Sequence, residues 1–277
     1  MASNQTQFDV AIVGGGPVGL ALATELTFRG HSACVIEQNE RVGVQPRAKT
    51  TNVRTMTHMR RWGLAPEIRR RSPLKPDFPR RVRFATALFG HEIFSFENAF
   101  CSAPQLDDRF PEHAEFIPQY VVESVLLDHV RSEPLATVIF ENRFESLTQN
   151  ADGTVNATVR NLKTEEVRDI NARYVIGADG ARSAVRKHLG IEMQGLHSLI
   201  SFVTLILRIP GLNQDEELKQ ALFHWLVSPD APCVMGPMDK QDVWFWGMPM
   251  HPGNDVSDEE LLDVVRNAMR KIGRAHV

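Results

Sequence analysis

A chain of 277 residues, 43% of them hydrophobic and 23% charged, is long enough to bury one large core or two smaller ones. Its formal net charge of -3 offers no electrostatic basis for binding nucleic acid, and the basic run Arg69-Arg70-Arg71 reads as a solvated helix end or loop. The widely spaced Cys34, Cys101 and Cys233 fit neither a disulfide framework nor a metal cluster, so a reducing, cytoplasmic setting with no metal site is expected.

Met1 to Gln7 are polar and uncharged, and the apolar stretch that follows is broken by glycines before it could span a bilayer. No signal peptide or membrane anchor is therefore expected. Phe8–Val13 is a short apolar run of the kind that forms a strand buried on both faces of a parallel sheet. After the turn Gly14-Gly15-Gly16-Pro17-Val18-Gly19, a Leu- and Ala-rich helix runs to Leu26, with Gly30 as its stop. Gly14, Gly16 and Gly19 fill the pattern G-x-G-x-x-G: the first permits a tight turn, the second lets a pyrophosphate approach the backbone, and the third lets helix and strand pack closely. Pro17 and Val18 begin the helix, whose unpaired N–H groups suit phosphate. A second strand, Ala33–Ile36, ends at Glu37, 18 residues after Gly19, where an acid accepts hydrogen bonds from a ribose diol. An adenine dinucleotide is the ligand this arrangement predicts.

Val53, Met56, Met59 and Trp62 mark a helical stretch ended by Gly63. From Ser72 the chain becomes proline-rich around strand-like Val82–Phe89 and the alternating run Glu92–Phe96. Gln119 opens a helix with Val122, Val125, Leu126, His129 and Val130 on one side, followed by a strand over Ala136–Phe140 and a hairpin strand over Thr154–Arg160. Tyr174-Val175-Ile176 reads as another buried-type strand, leading into a second glycine turn, Gly177-Ala178-Asp179-Gly180, and a helix from Ser183 to Leu189. Strand candidates then lie at Ser201–Ile209, Ala221–Val227 and Val243–Trp246, before an amphipathic helix through Leu261, Val265 and Met269. Aromatic residues gather in these later segments, as either a core or the lining of a flat apolar pocket.

These motifs resemble the single-component, FAD-dependent aromatic hydroxylases related to para-hydroxybenzoate hydroxylase, in the phenol and polyketide hydroxylase branch. The anchors are the first glycine turn with Glu37, Pro46-Arg47-Ala48 with Arg54-Thr55-Met56 and Trp62-Gly63-Leu64, the Gln119 helix, and Ile176–Arg186 around Asp179-Gly180. The resemblance implies an α/β, Rossmann-like FAD-binding domain in two segments, 1–72 and 118–190, interleaved with a mainly antiparallel substrate domain at 73–117 and 191–277. It implies that Asp179 and Gly180 lie against the flavin ribityl or pyrophosphate, that Arg47 lies near the flavin and helps receive NAD(P)H, and that Gln119 contacts FAD.

The activity implied is hydroxylation of a phenolic or polyketide aromatic substrate with NAD(P)H and O2, without a metal. Other FAD chemistry (epoxidase, halogenase or dehydrogenase) shares both glycine turns, and a non-catalytic FAD-binding module is a further alternative. Some relatives carry an acid near the position of Lys49, but no carboxylate lies between Arg41 and Glu67, so the catalytic residues are unassigned. The family's second FAD motif, Gly-Asp-Ala, is not reached, and Ile272–Val277 resembles translated sequencing adaptor. The sequence is therefore expected to be an N-terminal fragment, C-terminal part missing, and incompetent in coupled hydroxylation.

Overall fold

The computed structural model describes residues 7–40, 48–104, 107–196, 199–229, 231–239, 241–250 and 256–270. In chain order the elements begin with β1 (Phe8–Val13), α1 (Pro17–Phe28), β2 (Ala33–Ile36), β3 (Thr50–Thr51), α2 (Val53–Arg61) and α3 (Ala65–Arg71). They continue with β4 (Val82–Ala85), β5 (Glu92–Phe96), β6 (Glu115–Phe116), α4 (Gln119–Ser132), β7 (Ala136–Ile139), β8 (Asn142–Gln149), β9 (Val155–Asn161) and β10 (Val167–Gly177). The last are α5 (Ala184–His188), β11 (Ser201–Arg208), β12 (Phe223–Leu226), β13 (Cys233–Pro237), β14 (Val243–Met250) and α6 (Asp258–Met269). The described residues fall into two compact units, one within Met1–Arg47, Met59–Ile68 and Gln119–Gln194, the other within Ala48–His58, Arg69–Pro118 and Gly195–Val277. No helix among the described residues is long and apolar enough to cross a membrane.

In the first unit the strand order is β7-β2-β1-β10-β9-β8, with β7, β2, β1 and β10 parallel and the last two antiparallel. This is the Rossmann-like α/β sheet that the apolar runs at Phe8 and Ala33 predict, and all four residues of β2 are buried. The strand at Tyr174-Val175-Ile176 departs from its expected burial. Tyr174 and Ile176 share a face of β10 but are 60% and 41% exposed, so this strand is not buried on both sides. The reason lies in the helices: α1 packs on β1 and β2, and α4 on β7 and α1. Neither offers β10 the cover that the central strands receive.

The second unit is a mainly antiparallel sheet in the order β11-β14-β13-β12-β4-β5, in which β12 and β4 run parallel. One face is sealed by Trp244, Trp246, Met235 and Leu226 packed with Leu261, Val265 and Ala268 of α6. The Ser257 capping box fixes the start of that helix, its side chain meeting the Glu260 N–H while the Glu260 carboxylate returns to Ser257.

The second unit departs from the sequence pattern at three further points. The strand expected over Val82–Phe89 ends at Ala85, because the chain then curls around Arg83. The buried Arg83 guanidinium donates to the carbonyls of Leu88 at 2.7 Å and Gly90 at 3.1 Å and to Glu92 at 3.1 Å, bonds that an extended 86–90 would not supply. Strand β13 was not anticipated, since Gly236 and Pro237 disguise it; Gly236 is required there because a Cβ would stand 2.3 Å from the Leu222 carbonyl oxygen. The basic run does end α3, yet Arg69 is only partly solvated: it pairs with Glu112 and, at 2.9 Å, with the buried Glu115.

His224 of β12 is fully buried against Trp244, and neither ring nitrogen has a hydrogen-bond partner among the described residues. Burial, reinforced by the nearby Arg83, Arg81 and Lys49, pushes its pKa down to about 3 from the ordinary 6.5. The unfolded chain therefore takes up a proton well before the folded one, and stability present above 6.5 is lost as the pH falls toward 3. His224→Phe is expected to flatten this acid limb, read as the denaturant midpoint at stepped pH between about 7 and 4. An unchanged acid slope in the variant would show that His224 contributes nothing to it.

Candidate functional site

Strands β1, β2 and β10 end together. Val13 stands opposite both Ile36 and Gly177 in the parallel register, so the chain leaves the sheet at Gly14, Glu37 and Ala178 along one carboxyl edge. The carboxyl edge of an open α/β sheet is where such sheets bind ligands. Backbone bonds lock the three exits together: Gly14 N–H donates to Ile36 at 2.8 Å, and Ala178 N–H donates to Val13 at 2.7 Å.

The glycines of the first turn do different jobs. Gly14 has φ +113°, and a Cβ there would lie 2.4 Å from the Ala178 carbonyl oxygen, so the two glycine turns touch. At Gly19 a Cβ would stand 1.9 Å from the Gly14 carbonyl oxygen, which is the close strand-to-helix packing expected of it. Gly16 is different: its backbone is ordinary extended, and a Cβ would meet nothing within 4 Å. Pro17 starts α1, Val18 is exposed, and the N-cap Gly16 makes no side-chain cap, so the helix N-terminus opens onto unfilled space.

Glu37 is nearly buried, and its carboxylate organises the edge. One oxygen accepts from Gly15 N–H at 2.7 Å; the other accepts from Asn39 backbone N–H at 2.8 Å and from the Asn39 side-chain amide at 2.6 Å. Asn39 was not singled out in the sequence, although a polar residue two positions past the strand-ending acid was the signal for it.

The Asp179 carboxylate accepts from Ser183 Oγ at 2.6 Å and from Ala184 N–H at 2.6 Å, while Ser183 Oγ accepts from Arg186 N–H. These bonds fasten the second turn to the start of α5. Gly180 follows at φ +79° with nothing within 4 Å of a Cβ position. Gln119 opens α4, its amide donating to Glu123 at 2.7 Å, and Arg47 lies outside the described residues, as does the tail Ile272–Val277. The structure thus brings Gly14, Gly16, Pro17, Val18, Gly19, Glu37, Asp179 and Gly180 to one sheet edge. Chemically, that edge combines unpaired N–H groups and a positive helix end for phosphate with carboxylate acceptors for hydroxyls.

In the second unit the aromatic residues divide between the two sheet faces. Trp244 and Trp246 are core residues beneath α6, whereas Phe84, Phe94, Phe96 and Trp225 lie on the other face and remain partly or largely exposed.

The chain matches the family of FAD binding domains over residues 7–276. It is 31% identical over 244 residues to the aklavinone 12-hydroxylase of Streptomyces peucetius, a match covering 87% of this chain and 49% of that protein. Among solved structures, the substrate-free form of the rebeccamycin biosynthetic enzyme RebC superposes with a TM-score of 0.85 at 29% identity, covering 96% of this chain and 51% of that one. A ternary complex of aklavinone-11 hydroxylase with FAD and aklavinone gives a TM-score of 0.82 at 25% identity, covering 95% and 50%. The chain spans about half the length of the curated relatives it matches. With that span, those two glycine turns and this sheet edge, the chain belongs to the FAD-binding family of the aromatic and polyketide hydroxylases.

Proposed function

We propose that this protein is an NAD(P)H-dependent FAD monooxygenase acting on a phenolic or polyketide aromatic ring, with the first unit holding FAD and the second receiving the substrate. The observation that carries this reading is the junction of both glycine turns and Glu37 on one edge of the first unit's sheet. The residues fit FAD on physical grounds: the space beside Gly16 and the uncapped start of α1 suit a pyrophosphate, and Glu37 keeps acceptor capacity for ribose hydroxyls after its three bonds. In this reading Gly14 to Gly19 hold the pyrophosphate, Glu37 holds the ribose, and Asp179 and Gly180 border the ribityl chain. Bound FAD supplies the redox chemistry, taking electrons from NAD(P)H and passing one oxygen atom of O2 to the ring. The protein's share is to orient an electron-rich ring and exclude water, tasks suited to the aromatic face of the second unit.

The test is the purified protein's NAD(P)H oxidation with a panel of phenols under labelled O2. Phenol-stimulated NAD(P)H oxidation is expected even where it is uncoupled and releases hydrogen peroxide, and label in a hydroxylated product measures the coupled share. Flavin bound but indifferent to every phenol would favour a non-catalytic FAD module.

Glu37→Ala gives a narrower check. It removes the ribose acceptor and leaves the Gly15 N–H without its partner, so FAD affinity should fall by roughly tenfold or more and stability by about 1–3 kcal/mol. Fluorescence titration of FAD and a denaturation curve read the two effects separately, and wild-type values in both would remove Glu37 from the site.

A further inference from the structure

In the second unit the backbone between Asn98 and Cys101 is unusual. Asn98, Phe100 and Cys101 have φ of 49°, 60° and 57°, in the left-handed region that residues other than glycine and asparagine seldom enter. Hydrogen bonds hold the segment there. Ala99 N–H donates to the Arg80 carbonyl at 2.7 Å, Ser102 Oγ to the Ala99 carbonyl at 2.7 Å, Ala103 N–H to the Asn98 side-chain oxygen at 2.8 Å, and Ala114 N–H to the Cys101 carbonyl at 2.9 Å. None of them uses the side chain of residue 100, so a glycine there would keep them all without the steric cost of a Cβ. Ala99 and Ser102 are buried, and between them Phe100 is 52% exposed.

The ring at this position stands at the border of an aromatic cluster. Phe100 meets Phe223 edge-on, with centroids 5.5 Å apart and planes at 61°. Phe223 also meets Phe116 at 5.4 Å and Phe245 at 5.6 Å, and both of those rings are buried. Phe100 is thus the open member of the group, beside a Phe223 that is itself only half-buried. Two residues along β12, Trp225 projects to the same side as Phe223, stacks on Phe84 at 6.3 Å and is 48% exposed. The sheet face turned away from α6 therefore presents open aromatic surface, with Phe100 standing at its Phe223 end. A ring required only for packing would be covered, as Phe116 and Phe245 are. This one is held outward, on a backbone that does not favour it.

We propose that Phe100 is a specificity-determining contact for a flat aromatic ligand on this face: its ring bounds the site beside Phe223 and meets the ligand's ring edge-to-face. The assignment rests on the aromatic-substrate reading above and names a residue that selects a ring over a saturated skeleton of similar size. The selection is electrostatic as well as steric. An aromatic edge is positive and an aromatic face negative, so a T-shaped contact favours a second ring beyond the area it buries, and a saturated ring gains only the area. The left-handed backbone sets the side chain between two buried neighbours, where the pinned segment keeps it from turning away. No bond is made or broken by this residue, and its part in the reaction is contact alone.

The experiment measures, by calorimetry on the full chain with FAD present, the binding of 2-naphthol and of its saturated counterpart decahydro-2-naphthol. Wild type is expected to prefer 2-naphthol at least about fivefold. In Phe100→Ala that preference should fall about threefold to tenfold, and Phe100→Tyr, which keeps the ring, should restore it. Phe100→Gly should lose the preference as Phe100→Ala does, yet melt above it, the reverse of the usual order of these two residues, because position 100 is left-handed. A wild type without the preference, a preference unchanged in both truncated variants, or a glycine variant that melts below the alanine one overturns the assignment while any aromatic binding stands. Failure of both compounds to bind the wild-type chain overturns the assignment and the aromatic-substrate reading together. Glycine fits the observed backbone, so an alanine variant that does not fold leaves Phe100→Gly and the wild type to decide.

Discussion

Gly16→Val is expected to remove FAD while leaving the protein folded. Position 16 already has extended backbone that valine adopts readily, and its Cβ would enter space with no protein atom within 4 Å. The fold therefore has no reason to object. A pyrophosphate against the start of α1 would meet two methyl groups where it needs bare backbone, and affinity should drop at least about a hundredfold, or ~3 kcal/mol. The readings are flavin content after purification, a fluorescence titration with FAD, and a melting curve without it. Retained flavin at wild-type affinity would show that the pyrophosphate does not pass Gly16.

Three residues along, the same substitution should have the opposite consequence. Gly19→Val places its Cβ 1.9 Å from the Gly14 carbonyl oxygen, and the obstacle is backbone, so no side-chain rotation relieves the clash. Either α1 lifts from β1 or the first unit unfolds. Because Ile12, Leu20 and Ala23 are buried, the loss should exceed ~3 kcal/mol, visible as a lowered denaturant midpoint and poor soluble yield. A Gly19→Val protein that melts with the wild type would contradict the packing described for this turn. Together the two variants separate a glycine needed by the ligand from a glycine needed by the fold.

The sequence carried this distinction because each step from Phe8 to Glu37 is local. An apolar run, three spaced glycines, a Leu-rich helix and a strand ended by an acid are each written in consecutive residues, and the structure forms all of them. The second turn was legible for the same reason. What local pattern could not convey is which groups the turns would meet. Nothing near Gly14 announces Ala178 as its contact, since the parallel pairing of β1 with β10 bridges more than half the chain. Arg83 shows the same limit: Val82–Phe89 reads as one long strand, but a buried guanidinium needing carbonyls draws residues 86–90 into a turn. Tyr174 and Ile176 look like core because they are apolar, and their exposure is decided by where α1 and α4 happen to pack. At Lys49 the sequence shows only that no acid stands there. Its enclosure by Phe116, Phe223 and Phe245, drawn from three distant strands, is a property of the folded sheet.

The most direct test of the central claim, that both glycine turns and Glu37 build a single FAD site, is a crystal structure of this chain with FAD. The pyrophosphate is expected against the N–H groups that begin α1 beside Gly16, with a ribose hydroxyl within hydrogen-bond distance of Glu37 and the second turn at Asp179-Gly180 bordering the same molecule. FAD bound with its pyrophosphate away from Gly16, or with Glu37 and Gly180 both out of contact, would contradict the claim.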